Sequence, residues 1–248
     1  MLNHPTIEKL KSLKLTGMVK GLEDQMIVPT ELDFFERLGL LVDRELAERE
    51  NRRLKARLTA ARLKQPASLE DVDYHHPRGI DRTLLASLAS CAWLASKRNV
   101  LITGATGVGK TFLACALAQK AMREGCSALY KRTPRLLREL ATARADGSYP
   151  KMLSGLAKTD LLILDDWGLT PFAAEQERDL LEIMEDRHGL KSTLITSQVP
   201  VDSWHQLMTN PTLADAILDR VVHSAYRINL TGESMRRARA RRGEPDAD

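Results

Sequence analysis

Aromatic side chains are scarce: four Phe, three Trp and four Tyr make up 4% of 248 residues. Few platforms are left for stacking unpaired bases, so a single-strand binder working by stacking is disfavoured. The three cysteines, Cys91, Cys115 and Cys126, are odd in number and include no C-x-x-C pair. That excludes a disulfide framework and fits reduced thiols in a cytoplasmic protein. His75 and His76 are adjacent, a spacing that cannot chelate from one helix face. No apolar run nears the ~20 residues of a membrane span, and MLNHPTIEKLKSL lacks the apolar core of a signal peptide. No membrane contact is expected. An N-K-x-D guanine motif is missing too, since Ala157-Lys158-Thr159-Asp160 lacks its leading residue.

What is present begins with NVLITGATGVGKTF, Asn99 to Phe112. Val100 to Ile102 read as a buried strand that breaks into a glycine-rich turn satisfying G-x-x-x-x-G-K-T in full. Gly104, Gly107 and Gly109 permit the tight backbone. The amides of Gly104, Ala105, Thr106, Gly107, Val108 and Gly109, and of the helix start through Lys110, Thr111 and Phe112, then point at the phosphates of a nucleotide. Lys110 neutralises phosphate charge, and the Thr111 hydroxyl ligates Mg²⁺. A helix is predicted over Thr111 to Arg123.

The partner such a loop requires follows. LLILDD, Leu161 to Asp166, is an apolar strand ending in two carboxylates, with Asp165 expected on Mg²⁺ through water and Asp166 expected to orient or deprotonate the attacking water. A strand over Ala128 to Arg132 and a helix over Thr133 to Asp146 lie between the two motifs. STLITSQ, Ser192 to Gln198, is a further buried strand whose polar end would sense the γ phosphate through Gln198, with Ser197 as second choice. Helices are expected over Asp81 to Ser96, Glu175 to Arg187, Trp204 to Leu207 and Ala214 to Val222, and a last strand over Tyr226 to Leu230. Arg220, near the end of this core, either reaches the γ phosphate of a neighbouring subunit or pairs locally with Asp215 or Asp219.

Residues 1–75 read as all-helical. Ile7, Leu10 and Leu13 to Leu15 mark a first amphipathic segment that Gly17 and Gly21 loosen. Thr30 is the expected N-cap of a second, with Asp33 in its first turn and Leu32, Phe35, Leu38, Leu41 and Val42 along its apolar face. Pro66 is expected to end it, before a linker to Gly79 that carries the domain boundary. The net charge of +4 hides two basic clusters, Arg49 to Lys64 and Arg236 to Arg242. Both suit a polyanion, although either could be a solvated surface. Arg53 and Arg57 lie off the helix's apolar side, where they can touch phosphate or cover the exterior of a dimer helix.

DDWGLTPF, EIMEDRHGLKSTLITSQVPVDSWHQLM and NPTLADAILDRVVHSAYRINLTGESMR resemble the IstB-type helper ATPases of bacterial insertion sequences over nearly the whole chain. The core also resembles AAA+ proteins of the initiator and DnaC-like group. The resemblance implies an α/β P-loop NTPase of the AAA+ type with a five-stranded parallel sheet, preceded by a small all-helical domain. It implies boundaries at 1–75 for the helical domain, 76–232 for the ATPase core and 233–248 for a basic tail. It further implies a homo-oligomeric ring or spiral that binds ATP and duplex DNA and presents that DNA to a transposase. Lys110 and Thr111 then fall in Walker A, Asp165 and Asp166 in Walker B, Gln198 at sensor 1, Arg220 at the arginine finger, and Arg236 or Arg237 at sensor 2. The extra helical element of the initiator group matches Thr133 to Lys158. There Arg135, Arg138 and Arg144 would line DNA phosphates unless they pair with Glu139, Asp146 or Asp160.

Asp166 departs from the more frequent Glu and is one methylene shorter, so slow hydrolysis suited to a switch is expected. Three alternatives share the motor motifs: a DnaC-like helicase loader, a nucleotide-gated scaffold without useful hydrolysis, and a small-molecule kinase. The kinase is disfavoured because no arginine-bearing lid is inserted between the later strands.

Overall fold

The computed structural model describes residues 5–27 and 31–235, and the chain divides into two compact units, Met1–Arg57 and Leu58–Asp248. The first unit is helical, with α1 (Pro5–Ser12), α2 (Thr16–Ile27) and all but the last turn of the long α3 (Phe34–Ala61). Gly17 and Gly21 do not loosen it. A Cβ on Gly17 would stand 2.6 Å from the Arg44 carbonyl oxygen and 2.6 Å from the Glu45 Cα, so the missing side chain is what lets α2 lie against α3. Glu45, 5% exposed, accepts from the Gly17 and Met18 amides at 2.7 and 3.2 Å, supplying the start of α2 with acceptors its own backbone cannot. Thr30 lies outside the described residues. Asp33 itself caps α3: its carboxylate accepts from Glu36 N at 2.8 Å, and Glu36 reaches back to Asp33 N at 3.0 Å, a reciprocal capping box. At the other end α3 stops at Ala61, five residues before the expected Pro66, with Arg62 at φ 51°.

The second unit continues with a short 3₁₀ turn (Leu69–Asp71), α4 (Arg82–Ala89) and α5 (Ala92–Ala95). The single helix expected over Asp81 to Ser96 is thus two, broken where Cys91 takes φ 59°. Asp81 is its N-cap, accepting from Thr83 N and Leu84 N. Then follow β1 (Val100–Gly104), α6 (Lys110–Arg123), β2 (Ala128–Arg132), α7 (Thr133–Asp146), α8 (Tyr149–Lys158) and β3 (Leu161–Trp167). The unit closes with α9 (Ala174–Arg187), β4 (Ser192–Ser197), a 3₁₀ turn (Val201–Leu207), α10 (Pro211–Val222) and β5 (Tyr226–Leu230).

Among the described residues the five strands form one parallel sheet in the order β2-β3-β4-β1-β5. Leu161 to Leu164 and Leu194 to Thr196 are buried on both faces, the pattern of strands covered by crossover helices on each side. The motif-bearing strands β1 and β3 are separated by β4. Because all run the same way, the segments after β1, β3 and β4 meet at one edge, the carboxyl end where ligands of open α/β sheets bind. Trp167 anchors the core beneath that edge, its ring 5.0 Å from Phe172 and 5.6 Å from Trp204. At the opposite end Arg187, 1% exposed, donates to Thr193 Oγ1 at 3.0 Å and Thr159 O at 2.9 Å and also bonds the carbonyls of Leu156 and Ser192. Burial brings its pKa down to about 10.

Candidate nucleotide site

The loop from Gly104 to Gly109 leaves β1 and runs straight into α6. Gly107 sits at φ 86°, and a Cβ there would stand 2.1 Å from Ser234 Oγ, so both conformation and space demand glycine. Met235 N donates to Gly107 O at 2.8 Å, bringing the segment after β5 onto the loop. Arg236 and Arg237, the two candidates for sensor 2, lie outside the described residues. Lys110 is 8% exposed and donates to the carbonyls of Gly104 and Ala105, both at 2.7 Å. Burial pulls its pKa below the usual lysine range, opposed by the nearby Asp165 and Asp166.

The Thr111 hydroxyl donates between the two oxygens of Asp165, 3.1 Å from each. Asp165, 4% exposed, also accepts from Tyr130 OH at 2.5 Å and from the Thr196 hydroxyl. Burial first, and then the bond to Asp165, push the Tyr130 phenol well above its ordinary pKa, so it stays a donor. A carboxylate and a hydroxyl side by side form an all-oxygen set, the chemistry of a hard dication such as Mg²⁺. The residues present fit that ion.

Asp166 is aimed by backbone irregularity. The β3–β4 register shifts between Leu164 and Trp167, and Asp166 adopts φ 61°, a bulge of the kind that re-aims a side chain beside an active site. Arg132, the last residue of β2, grips it: Nε donates to Asp166 Oδ2 at 2.8 Å and Nη2 lies 2.7 Å from the same oxygen. That hydrogen bond raises the Arg132 pKa. Gln198 accepts from Thr106 Oγ1 at 2.7 Å, so the expected sensor touches the phosphate loop. Ser197, the second choice, is fully buried and donates to Trp167 O at 2.8 Å; it faces the core.

The remaining expected residues lie elsewhere. Arg220 is at the opposite end of the sheet, paired with Glu185 at 2.9 Å and donating to Ala216 O at 2.7 Å; neither Asp215 nor Asp219 is its partner. On α7, Arg135 pairs with Glu139 at 3.0 Å, while Arg144 bonds Asp179 and stacks on Tyr149 with its guanidinium 4.4 Å from the ring centroid. Arg138 is exposed and makes no side-chain bond among the described residues. Arg53 is exposed and Arg57 half-buried on α3.

Four residues of the site carried no motif. Arg132, Tyr130 and Thr196 become legible only once β2 and β4 are known to flank β3, since register places them beside Asp165 and Asp166. Arg78, inside the expected linker, is 4% exposed and donates to Val108 O at 3.2 Å and Asp73 O at 2.6 Å. That stretch braces the phosphate loop from beneath and is not a free linker. Next to it Ile80, Leu84, Leu85, Leu113 and Ile228 line a cavity of about 130 Å³.

A phosphate loop after β1, a hydroxyl–carboxylate pair bridging it to β3 and an intervening β4 define an ATP-binding P-loop protein of the AAA+ fold. The family is narrower. Residues 8–243 match the model of the IstB-like ATP-binding proteins, and the chain belongs to that family. An insertion-sequence ATP-binding protein of Sinorhizobium fredii is 50% identical over 244 residues, covering 98% of this chain and 100% of that protein. Among solved structures, DnaI matches with a TM-score of 0.58 at 27% identity, over 66% of this chain and 91% of that one. The DnaC helicase loader matches in fold, with a TM-score of 0.51 at 23% identity over 63% of this chain and 94% of that one.

Proposed function

We propose that this protein is an ATPase of an insertion sequence that assembles on duplex DNA in its ATP state, presents that DNA to the element's transposase, and lets go on hydrolysis. The observation that carries the reading is the contact of Thr111 with Asp165 beside an Arg132-held Asp166, in a chain whose family is that of insertion-sequence ATP-binding proteins.

In this reading Lys110 turns from the Gly104 and Ala105 carbonyls to the phosphate oxygens. Thr111 and Asp165 hold Mg²⁺, which when bound neutralises triphosphate charge. Asp166 orients the attacking water and accepts its proton, and Gln198 contacts the γ phosphate from the end of β4. The cavity lined by Ile80 and Leu113, with Asp81 and Asn229 among its polar groups, takes the adenine. Arg220 faces away from its own loop, as an arginine serving the nucleotide of a second copy must, and α7 and α3 meet DNA phosphates. Residues 1–75 serve oligomerisation or partner contact, 76–232 form the motor and 233–248 a basic tail. The products are ADP and phosphate.

The test is binding to random duplex and to single-stranded DNA with ATP, ADP or no nucleotide, for the wild type, Lys110→Ala and Asp166→Asn. Duplex binding that needs ATP, is lost in Lys110→Ala and outlasts the wild type in Asp166→Asn is the expected result. Indifference to nucleotide in all three proteins would refute the switch. The resemblance of the core to the DnaC-like group gives helicase loading as the second reading, in which the N-terminal helices hold a replicative helicase. Co-purification with the element's transposase or with the helicase decides between them.

A further inference from the structure

The residue that opens the phosphate-loop strand is polar and buried. Asn99 stands directly before β1 and is 8% exposed. Its Nδ2 donates to the carbonyls of Arg220 at 3.0 Å and Val221 at 3.1 Å, and its Oδ1 accepts from Thr193 N of β4 at 2.9 Å. Its own carbonyl accepts from Tyr226 N at the start of β5, also at 2.9 Å. One residue therefore ties β1, β4 and β5 to the last turn of α10. Carbonyls in that turn have no partner within the helix, so Asn99 acts as its C-terminal cap, and one of the two carbonyls it holds belongs to Arg220.

A bond at the Arg220 carbonyl fixes where the helix ends and hence the direction in which the Arg220 side chain leaves it. That side chain stands at the wall of a cavity of about 610 Å³, shared with Lys97, Arg98, Asn99 and His223, at the sheet end opposite the phosphate loop. Its present partners, the Ala216 carbonyl and the exposed Glu185, are ones it can leave by rotating about its own bonds. The Asn99 bonds hold backbone and stay in place when the guanidinium moves.

We propose that Asn99 is a positioning residue for Arg220, holding the end of α10 so that this guanidinium meets the nucleotide of a second copy of the chain. The role rests on the reading of Arg220 as an arginine supplied between subunits. An aspartate would keep the acceptor for Thr193 N but set a carboxylate against two carbonyls; an alanine would leave all three backbone groups without their partner.

The experiment compares turnover and ADP affinity of the full-length wild type, Asn99→Asp, Asn99→Ala, Arg220→Ala and the double variant Asn99→Ala with Arg220→Ala. Both Asn99 variants are expected to lose about tenfold in turnover, the scale of one hydrogen bond, with ADP affinity unchanged. No further loss is expected when Asn99→Ala is added to Arg220→Ala, because a residue acting only through Arg220 has nothing left to act on. Mixing Asn99→Ala with Asp166→Asn is expected to give turnover above the sum of the two, since the second subunit delivers a well-held Arg220 to the first subunit's nucleotide. A loss that adds to that of Arg220→Ala, or a fall in ADP affinity, would show general structural support and overturn the proposal. If Asn99→Ala does not fold, Asn99→Asp carries the same comparisons. Wild-type turnover in Arg220→Ala would bring down the intersubunit reading itself; loss in Arg220→Ala with wild-type turnover in both Asn99 variants would remove the positioning role alone.

Discussion

Asp166 has one carboxylate oxygen bound twice by the same guanidinium, and that pairing governs what it can do. Arg132 holds that oxygen at 2.7 and 2.8 Å, so it must be released before a water can bond to it. Arg132→Ala is expected to raise DNA-independent turnover several-fold while leaving ATP affinity near the wild-type value, read by phosphate release and by nucleotide titration. A fall in turnover would mean that Arg132 instead holds Asp166 in its working position. Asp165 differs, because three hydroxyls converge on it from α6, β2 and β4. Tyr130→Phe removes one of them and leaves the ring in place. If Asp165 holds Mg²⁺ as proposed, ATP binding should then need about tenfold more Mg²⁺, the effect of losing an outer partner of a metal ligand, measured by metal titration at fixed nucleotide.

At the scale of elements, the junction of α2 with α3 rests on an absent side chain and a buried carboxylate. Gly17→Ala would drive a methyl into the Arg44–Glu45 backbone and is expected to cost about 2 kcal/mol, the overpacking range, in urea unfolding. Glu45 carries a pH signature. The bond from Arg49 chiefly, with the Met18 and Gly17 amides, holds its carboxyl below the usual glutamate range against the opposing effect of burial. A depressed folded-state pKa stabilises above the unfolded value, near 4.5, and that contribution fades as pH falls through the folded value. The stability gap between wild type and Glu45→Gln should therefore be full at pH 7 and shrink as pH falls below about 4.5. A gap of constant size would show that Glu45 acts through shape and not charge. The same junction marks where sequence patterns stop being legible. Periodicity and the G-x-x-x-x-G-K-T and Asp-Asp motifs place β1, β3 and the helix after the loop to within two residues, because local chemistry alone determines them. Gly17 reads as a helix breaker until α3 is known to lie against it, and the Ser90–Cys91 break leaves no mark on apolar spacing. Arg78, Arg132 and Asn99 are ordinary polar residues until the strand order puts a carbonyl or carboxylate within reach.

At the scale of the whole molecule a net charge of +4 says little, since many of the cations are already spoken for. On α7, Arg135 and Arg144 hold Glu139 and Asp179, and Arg144 also lies on the Tyr149 ring. Arg138, between them on the same helix, is exposed with its side chain unbonded among the described residues. These three arginines should therefore separate in experiment despite identical chemistry. Binding to duplex loses affinity with salt in proportion to the phosphates neutralised, with a log–log slope of about −0.9 per contact. Arg138→Ala is expected to flatten that slope by about 0.9 for each subunit engaged, equally for unrelated duplex sequences, and to leave thermal stability unchanged. Arg144→Ala should do the opposite, lowering the thermal midpoint because Asp179, 4% exposed in its side chain, loses its guanidinium partner, while the salt slope holds. A wild-type slope in Arg138→Ala would take the DNA face away from α7 and move it to α3, where Arg53 is the exposed cation to change next.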